Sequence, residues 1–166
     1  MAKAMDAFSA SLMADKREII FAPTVYKFET FAQMAEEFKL NDRDVVLTNE
    51  FIYKPFMEEL GLKCQFVFQE KFGAGEPSEA MIQTMYDAIP YESYDRVIAV
   101  GGGAIMDLCK LLGCKRPDTV HNLYFKRFPV VHEKDGIAIT PTCGTGSECT
   151  NIPVAIAKDE KAGVTT

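Results

Sequence analysis

Arg96-Val-Ile-Ala-Val100 is an apolar run that ends directly on Gly101, Gly102 and Gly103, and a helical pattern follows to Leu112. A strand that is apolar at consecutive positions is buried on both faces, as in a parallel sheet covered by helices on each side. Three glycines between such a strand and a helix remove every Cβ at the point where a ligand could approach the backbone. The helix N-terminus behind them offers unpaired N–H groups and a partial positive charge to a phosphate. Asp107 stands one turn into that helix and Lys110 three residues further. The same residues are also compatible with a tight turn followed by an ordinary helix surface. The spacing is not G-x-G-x-x-G and no G-x-x-x-x-G-K-[ST] occurs, so neither common phosphate-binding fingerprint applies.

The rest of the chain alternates strand-like and helix-like patterns. Residues 19–21 and 25–28 read as short strands separated by Pro23. Thr30 with Gln33 has capping-box spacing, and Phe31, Met34, Ala35 and Phe38 form the stripe of an amphipathic helix. Asp44–Thr48 and residues 64–68 read as strands, with a short helical segment between them that Gly61 ends. Ser78 caps a helix whose Met81, Ile82, Met85 and Ile89 face the core, and Pro90 closes it. A looser stretch over 114–128 leads to a strand at 137–140, a last strand over 151–157 and a turn at 158–163. This alternation predicts an α/β fold with a parallel sheet, whose ligands bind at the carboxyl ends of the strands.

Composition narrows the function classes. The 166 residues are 48% hydrophobic and 25% charged, enough for one domain with its own core and short for two. A net charge of -6 argues against a nucleic-acid partner, which selects a basic stripe. No apolar run reaches the ~18 residues of a membrane span, and residues 1–18 lack the apolar core of a signal peptide. They read as an N-terminal extension, ahead of a dinucleotide-binding domain over 19–166 that is open to being incomplete at its C-terminal end. The five cysteines, Cys64, Cys109, Cys114, Cys143 and Cys149, are odd in number and fit reduced, half-buried thiols in a cytoplasmic protein. Their spacing does not suit a zinc knuckle.

A second loop, Ile139-Thr-Pro-Thr-Cys-Gly-Thr-Gly-Ser-Glu-Cys-Thr150, follows a strand with hydroxyl side chains and two glycines. It can wrap backbone and hydroxyl donors around a diphosphate or a ribose, although alone it is no more than a polar loop. Two such loops in one α/β chain favour a dinucleotide.

Together, GGGAIMDLCK and TPTCGTGSECT resemble the paired GGGSxxDxAK and PTTxGTGSEVT segments of the iron-containing (group III) alcohol dehydrogenases. Val25-Tyr-Lys-Phe28, Leu47-Thr-Asn-Glu-Phe-Ile-Tyr-Lys-Pro-Phe56 and Phe68-Gln-Glu-Lys-Phe-Gly-Ala-Gly-Glu-Pro-Ser78 are similar to the NAD-dependent 4-hydroxybutyrate dehydrogenase branch of that family. The resemblance runs from Ile19 to the C-terminus. It implies the N-terminal, Rossmann-like domain of that fold, a parallel sheet with helices on both faces, with the C-terminal helical domain absent. It further implies oxidation of 4-hydroxybutyrate to succinic semialdehyde with hydride passed to NAD. Gly101, Gly102 and Gly103 would hold the pyrophosphate with Asp107 nearby, and Thr142, Thr145 and Thr150 would line the phosphate, ribose and nicotinamide side. Asn49 stands where many relatives carry an Asp that contacts the adenine ribose, so NADP is not excluded. Its alternative reading is a turn residue. Ala104 in place of Ser, and Thr140-Pro141 in place of Pro-Thr, are further departures.

The family's divalent metal, expected to be iron, is held by one Asp and three His in the C-terminal half and activates the substrate hydroxyl. This sequence has His121 and His132, which match no ligand position and read as exposed or hydrogen-bonded loop residues. The expectation is therefore a cofactor-binding half with no metal site and no catalytic residue of its own, inactive alone. Its expected partners are a small-molecule substrate and either further copies of itself or a C-terminal half covering its exposed apolar face. Two alternatives stay open: a dehydrogenase of another short alcohol or diol, and a non-catalytic nucleotide-binding module that works with a partner chain.

Overall fold

A computed structural model describes residues 24–125, 129–141, 144–157 and 160–163. In chain order the elements are α1 (Phe31–Glu37), β1 (Asp44–Thr48), α2 (Glu50–Phe56), β2 (Gln65–Phe68), α3 (Glu79–Ala88), β3 (Arg96–Val100), α4 (Gly103–Leu112), α5 (Val120–Tyr124), β4 (Asp135–Ile139), β5 (Val154–Ala157) and β6 (Glu160–Gly163). The first four strands form one sheet in the order β2-β1-β3-β4, and β5 and β6 form a separate hairpin. Every pairing within the larger sheet is parallel.

Strand periodicity divides the core into two layers. Val45 and Leu47 of β1, with Val97 and Ala99 of β3, pack against Met81, Ile82, Met85 and Ile89 around α3 and Ile105 and Leu108 of α4. Val46, Ile98 and Val100 point the other way, onto Met34 of α1, Ile52 of α2 and Met57. β1 is buried at all five positions, because helices cover both of its faces.

Local chemistry fixes where the helices start and stop. Ser78 Oγ accepts the Met81 N–H at 3.2 Å at the start of α3, and Ile89 leaves helical geometry immediately ahead of Pro90. Thr30 Oγ1 accepts the Gln33 N–H at 3.3 Å. The return half of that capping box lands one residue early, with Gln33 Oε1 accepting the Glu29 N–H at 2.9 Å. The orphan carbonyls at the end of α4 accept from tyrosines: Tyr86 OH donates to Leu111 and Tyr94 OH to Leu112. At the amino ends of the strands Asp44, 2% exposed, receives a bidentate Arg96 guanidinium at 2.7 and 2.8 Å across the β1–β3 register. That pair anchors the edge of the sheet remote from the glycine loop.

Five expectations change. Residues 25–28 are not a strand: they have no ladder partner among the described residues, and the Tyr26 and Phe28 rings gather on Phe38 instead. The stretch after Cys114 contains α5, capped by Thr119. The expected turn at 158–163 contains β6, because Glu160 to Gly163 pairs antiparallel with β5. The last strand begins only at Val154, after Pro153. Three of the cysteines, Cys64, Cys109 and Cys114, are fully rather than half buried. The expected strand at 19–21 and the extension over 1–18 lie outside the described residues.

Candidate functional site

The three glycines after β3 do different things. A Cβ on Gly101 would lie 2.6 Å from Ile105 Cγ1, and one on Gly103 would lie 2.9 Å from Thr145 Cγ2. Both therefore permit close packing, the first of the loop on its own helix and the second of one loop on the other. Gly102 is the N-cap of α4, and a Cβ there would meet nothing within 4 Å. It is the glycine that leaves backbone open toward a groove of about 540 Å³. Asn49, Phe51, Gln69, Gly102, Gly103 and Pro141 are among the residues lining that groove, so it runs along the carboxyl ends of all four parallel strands. Its size suits a small organic ligand.

The floor is stiffened from below. Thr48 Oγ1, fully buried, donates to Val100 O at 2.8 Å and ties the end of β1 to the last residue of β3. The Gly101 N–H reaches Ile139 O of β4 at 3.2 Å.

The second loop is fastened to α4 by a cluster of charged and hydroxyl groups. Lys110 Nζ donates to Asp107 Oδ1 at 2.9 Å, Ser147 Oγ at 2.8 Å and Thr150 Oγ1 at 3.1 Å, with Ile152 O at 3.4 Å. Ser147 Oγ donates to Asp107 Oδ1, and the Val154 N–H donates to Asp107 Oδ2 at 3.1 Å. The Asp107 and Lys110 side chains are only 13% and 15% exposed. Gly146, left-handed at φ +66°, turns the loop into this cluster, and the Ser147 N–H closes it on Thr145 Oγ1. On α5, the buried Tyr124 hydroxyl has no hydrogen-bond partner among the described residues.

The expected site residues thus fall into three groups. Asn49, Gly102 and Gly103 line the groove, with Gly101 directly behind them. Thr145 packs on Gly103, whereas Asp107 and Thr150 are engaged with Lys110 inside the loop–helix cluster. Thr142 lies outside the described residues. Three contributors escaped the sequence reading. Thr48 and Ser147 resemble ordinary strand and loop residues in isolation. Glu70, just past β2, accepts from Asn49 Nδ2 at 3.0 Å and from the Glu50 N–H at 3.2 Å through the same Oε1. An acidic residue right after a strand was the available signal for it.

The histidines take no part in the groove. His121 belongs to α5 rather than to a loop, lies 3.2 Å from Glu79 and stacks on Phe125. His132 is half-buried against Gly113, where burial lowers its pKa below the ordinary histidine value. Among the described residues no group of three or more His, Cys, Asp or Glu could hold a metal ion, so these residues do not fit the family's iron. Nor is any helix among them long and apolar enough to cross a membrane.

Comparison with known proteins agrees with this geometry. The chain is 46% identical over 137 residues to the 4-hydroxybutyrate dehydrogenase of Clostridium kluyveri, a match covering 82% of this chain and 37% of that protein. An iron-containing alcohol dehydrogenase from Thermotoga maritima superposes with a TM-score of 0.70 at 22% identity, over 89% of this chain and 44% of that one. The sulfoacetaldehyde reductase of Bifidobacterium kashiwanohense, solved with NAD+, superposes with a TM-score of 0.65 at 18% identity, over 87% and 44% of the two chains. The pattern of the iron-containing alcohol dehydrogenases matches residues 22–166, and the chain belongs to that family.

Proposed function

We propose that this chain is the cofactor-binding part of an NAD-dependent oxidoreductase that interconverts 4-hydroxybutyrate and succinic semialdehyde. The observation that carries the cofactor reading is Gly102, an open N-cap glycine at the head of a ten-residue helix, facing a groove at the carboxyl ends of parallel strands. The N–H groups of the first turn of α4 bind the pyrophosphate. Thr145 orders the approach from the second loop, and the Lys110 cluster keeps that loop against α4. NAD held there would supply the hydride acceptor for oxidation of an alcohol carbon to a carbonyl. No metal-dependent step is assigned to these residues.

The substrate reading rests on the 46% identity to the Clostridium kluyveri enzyme. Because the match spans 37% of that protein's length, turnover is proposed for the chain together with the remainder that its relative possesses, supplied by covalent continuation or by association. A cytoplasmic location goes with that proposal. A second reading, another short alcohol or carbonyl compound, is favoured by the same fold in a sulfoacetaldehyde reductase.

The cofactor reading is tested by titrating the purified chain with NADH and following nicotinamide fluorescence. Saturable binding is expected, and Gly102→Val abolishes it by placing a branched side chain where the pyrophosphate approaches. Unchanged affinity in the variant would remove the glycine loop from the site.

A further inference from the structure

Asn49 lines the groove without capping α2, although it occupies the N-cap position. Its amide is turned to Glu70 instead, and the Glu50 N–H donates to the same carboxylate oxygen. We propose that Glu70, brought from the end of β2 and held by Asn49 and the Glu50 amide, accepts the adenosine ribose hydroxyls and excludes a 2′-phosphate. This rests on the dinucleotide reading above and adds the residue that selects NAD over NADP.

The sheet order carries the placement. From the glycine loop after β3 the next strand is β1, ending at Asn49, and the next is β2, followed at once by Gln69 and Glu70. Neighbouring strands lie about 4.8 Å apart, so these three strand ends are spread over about 10 Å. Gly102, Asn49 and Gln69 line one groove. A dinucleotide with its phosphates on α4 and its adenosine along this groove brings its ribose to the Asn49–Glu70 pair.

The chemistry is consistent with that assignment. Both recorded bonds to Glu70 end on Oε1, and a carboxylate has about four acceptor positions in all. Oε2 therefore has capacity for ribose hydroxyls. Gln69 is buried and tied to Gly75 O at 3.1 Å, so the backbone that carries Glu70 is fixed. The nearby cations are turned to other partners: Lys54 pairs with Glu50 at 3.2 Å, and Lys71 lies over the Phe68 ring at 5.3 Å. A 2′-phosphate would meet the Glu70 carboxylate with Glu50 one residue beyond Asn49. A neutral Asn49 thus does not leave the site indifferent to charge. It acts as a positioning residue for an acid supplied by the adjacent strand.

The test compares NADH and NADPH affinities of the purified chain and of Glu70→Gln, which keeps the side chain's size and removes its charge. The wild type is expected to bind NADH about tenfold more tightly or better, equivalent to ~1.4 kcal/mol, and the variant to bring the two within about threefold. Competition by 5′-AMP and 2′-AMP should reproduce the shift without the nicotinamide half. Glu70 is exposed, and an unchanged thermal melt confirms that the variant is folded. A wild type without preference, or a preference that survives Glu70→Gln, overturns the assignment while leaving the dinucleotide reading intact. Binding of neither cofactor to the wild type overturns both.

Discussion

Lys110→Met is the most informative perturbation of the groove's supporting structure. Methionine keeps most of the side-chain volume, so the change isolates the ammonium group. Its removal deletes donors to Asp107, Ser147, Thr150 and Ile152 O at once and leaves a carboxylate 13% exposed without its cation. Breaking a buried ion pair from one side costs about 3–5 kcal/mol. Asp107 keeps the Ser147 hydroxyl and the Val154 N–H, which places the expected loss at the low end, about 3 kcal/mol. For a chain of this size that corresponds to a fall in Tm of roughly 6–12 °C. Urea and thermal unfolding measure it directly. Asp107→Asn on the Lys110→Met background should recover at least ~1 kcal/mol relative to additivity, since the orphaned charge is then gone. NADH affinity should fall in the single variant as the second loop loses its anchor. A loss within about 0.5 kcal/mol of wild type, or strict additivity in the double variant, would refute the view that Lys110 holds the two loops together.

Two further outcomes follow from the packing and the charges. Gly103→Ala should destabilise the chain by about 1–3 kcal/mol and weaken NADH binding, because its Cβ falls 2.9 Å from Thr145 Cγ2; Thr145→Ala on that background should restore part of the loss in the same melt. His132 should add an acid-side loss of stability. Burial lowers its folded pKa below the unfolded value near 6.5, only partly opposed by Asp135, so the unfolded chain binds the extra proton first. Its contribution is complete above pH ~6.5 and is lost as pH falls through the folded pKa. Urea midpoints at pH 7.5 and 5.5 should therefore converge in His132→Gln; equal pH dependence in wild type and variant would contradict this.

The strands and long helices were readable from local signals. Val45–Leu47 in β1 and Val97–Val100 in β3 are contiguous apolar stretches, and α3 follows its Ser78 cap and stops before Pro90. α5 is five residues long and too short to display a period, while β6 (Glu160–Gly163) gains strand geometry only from its partner β5. The glycine loop was legible for the same reason as β3: it is contiguous in sequence. What the sequence did not show is that Thr150 is tied to Lys110 across 40 residues of chain, and that Asp107 receives the Val154 N–H across 47.

Sequence by itself determined the strand–glycine–helix unit, the α/β class and the family, because these depend on residue order over a few turns. Only the tertiary structure decided which glycine faces open space, what Lys110 holds, and that Asn49 meets a carboxylate from the next strand. The reason is physical. Parallel strands are joined by long crossovers, so the residues that share the carboxyl edge of a sheet are neighbours through hydrogen-bonded strand order and not through chain separation.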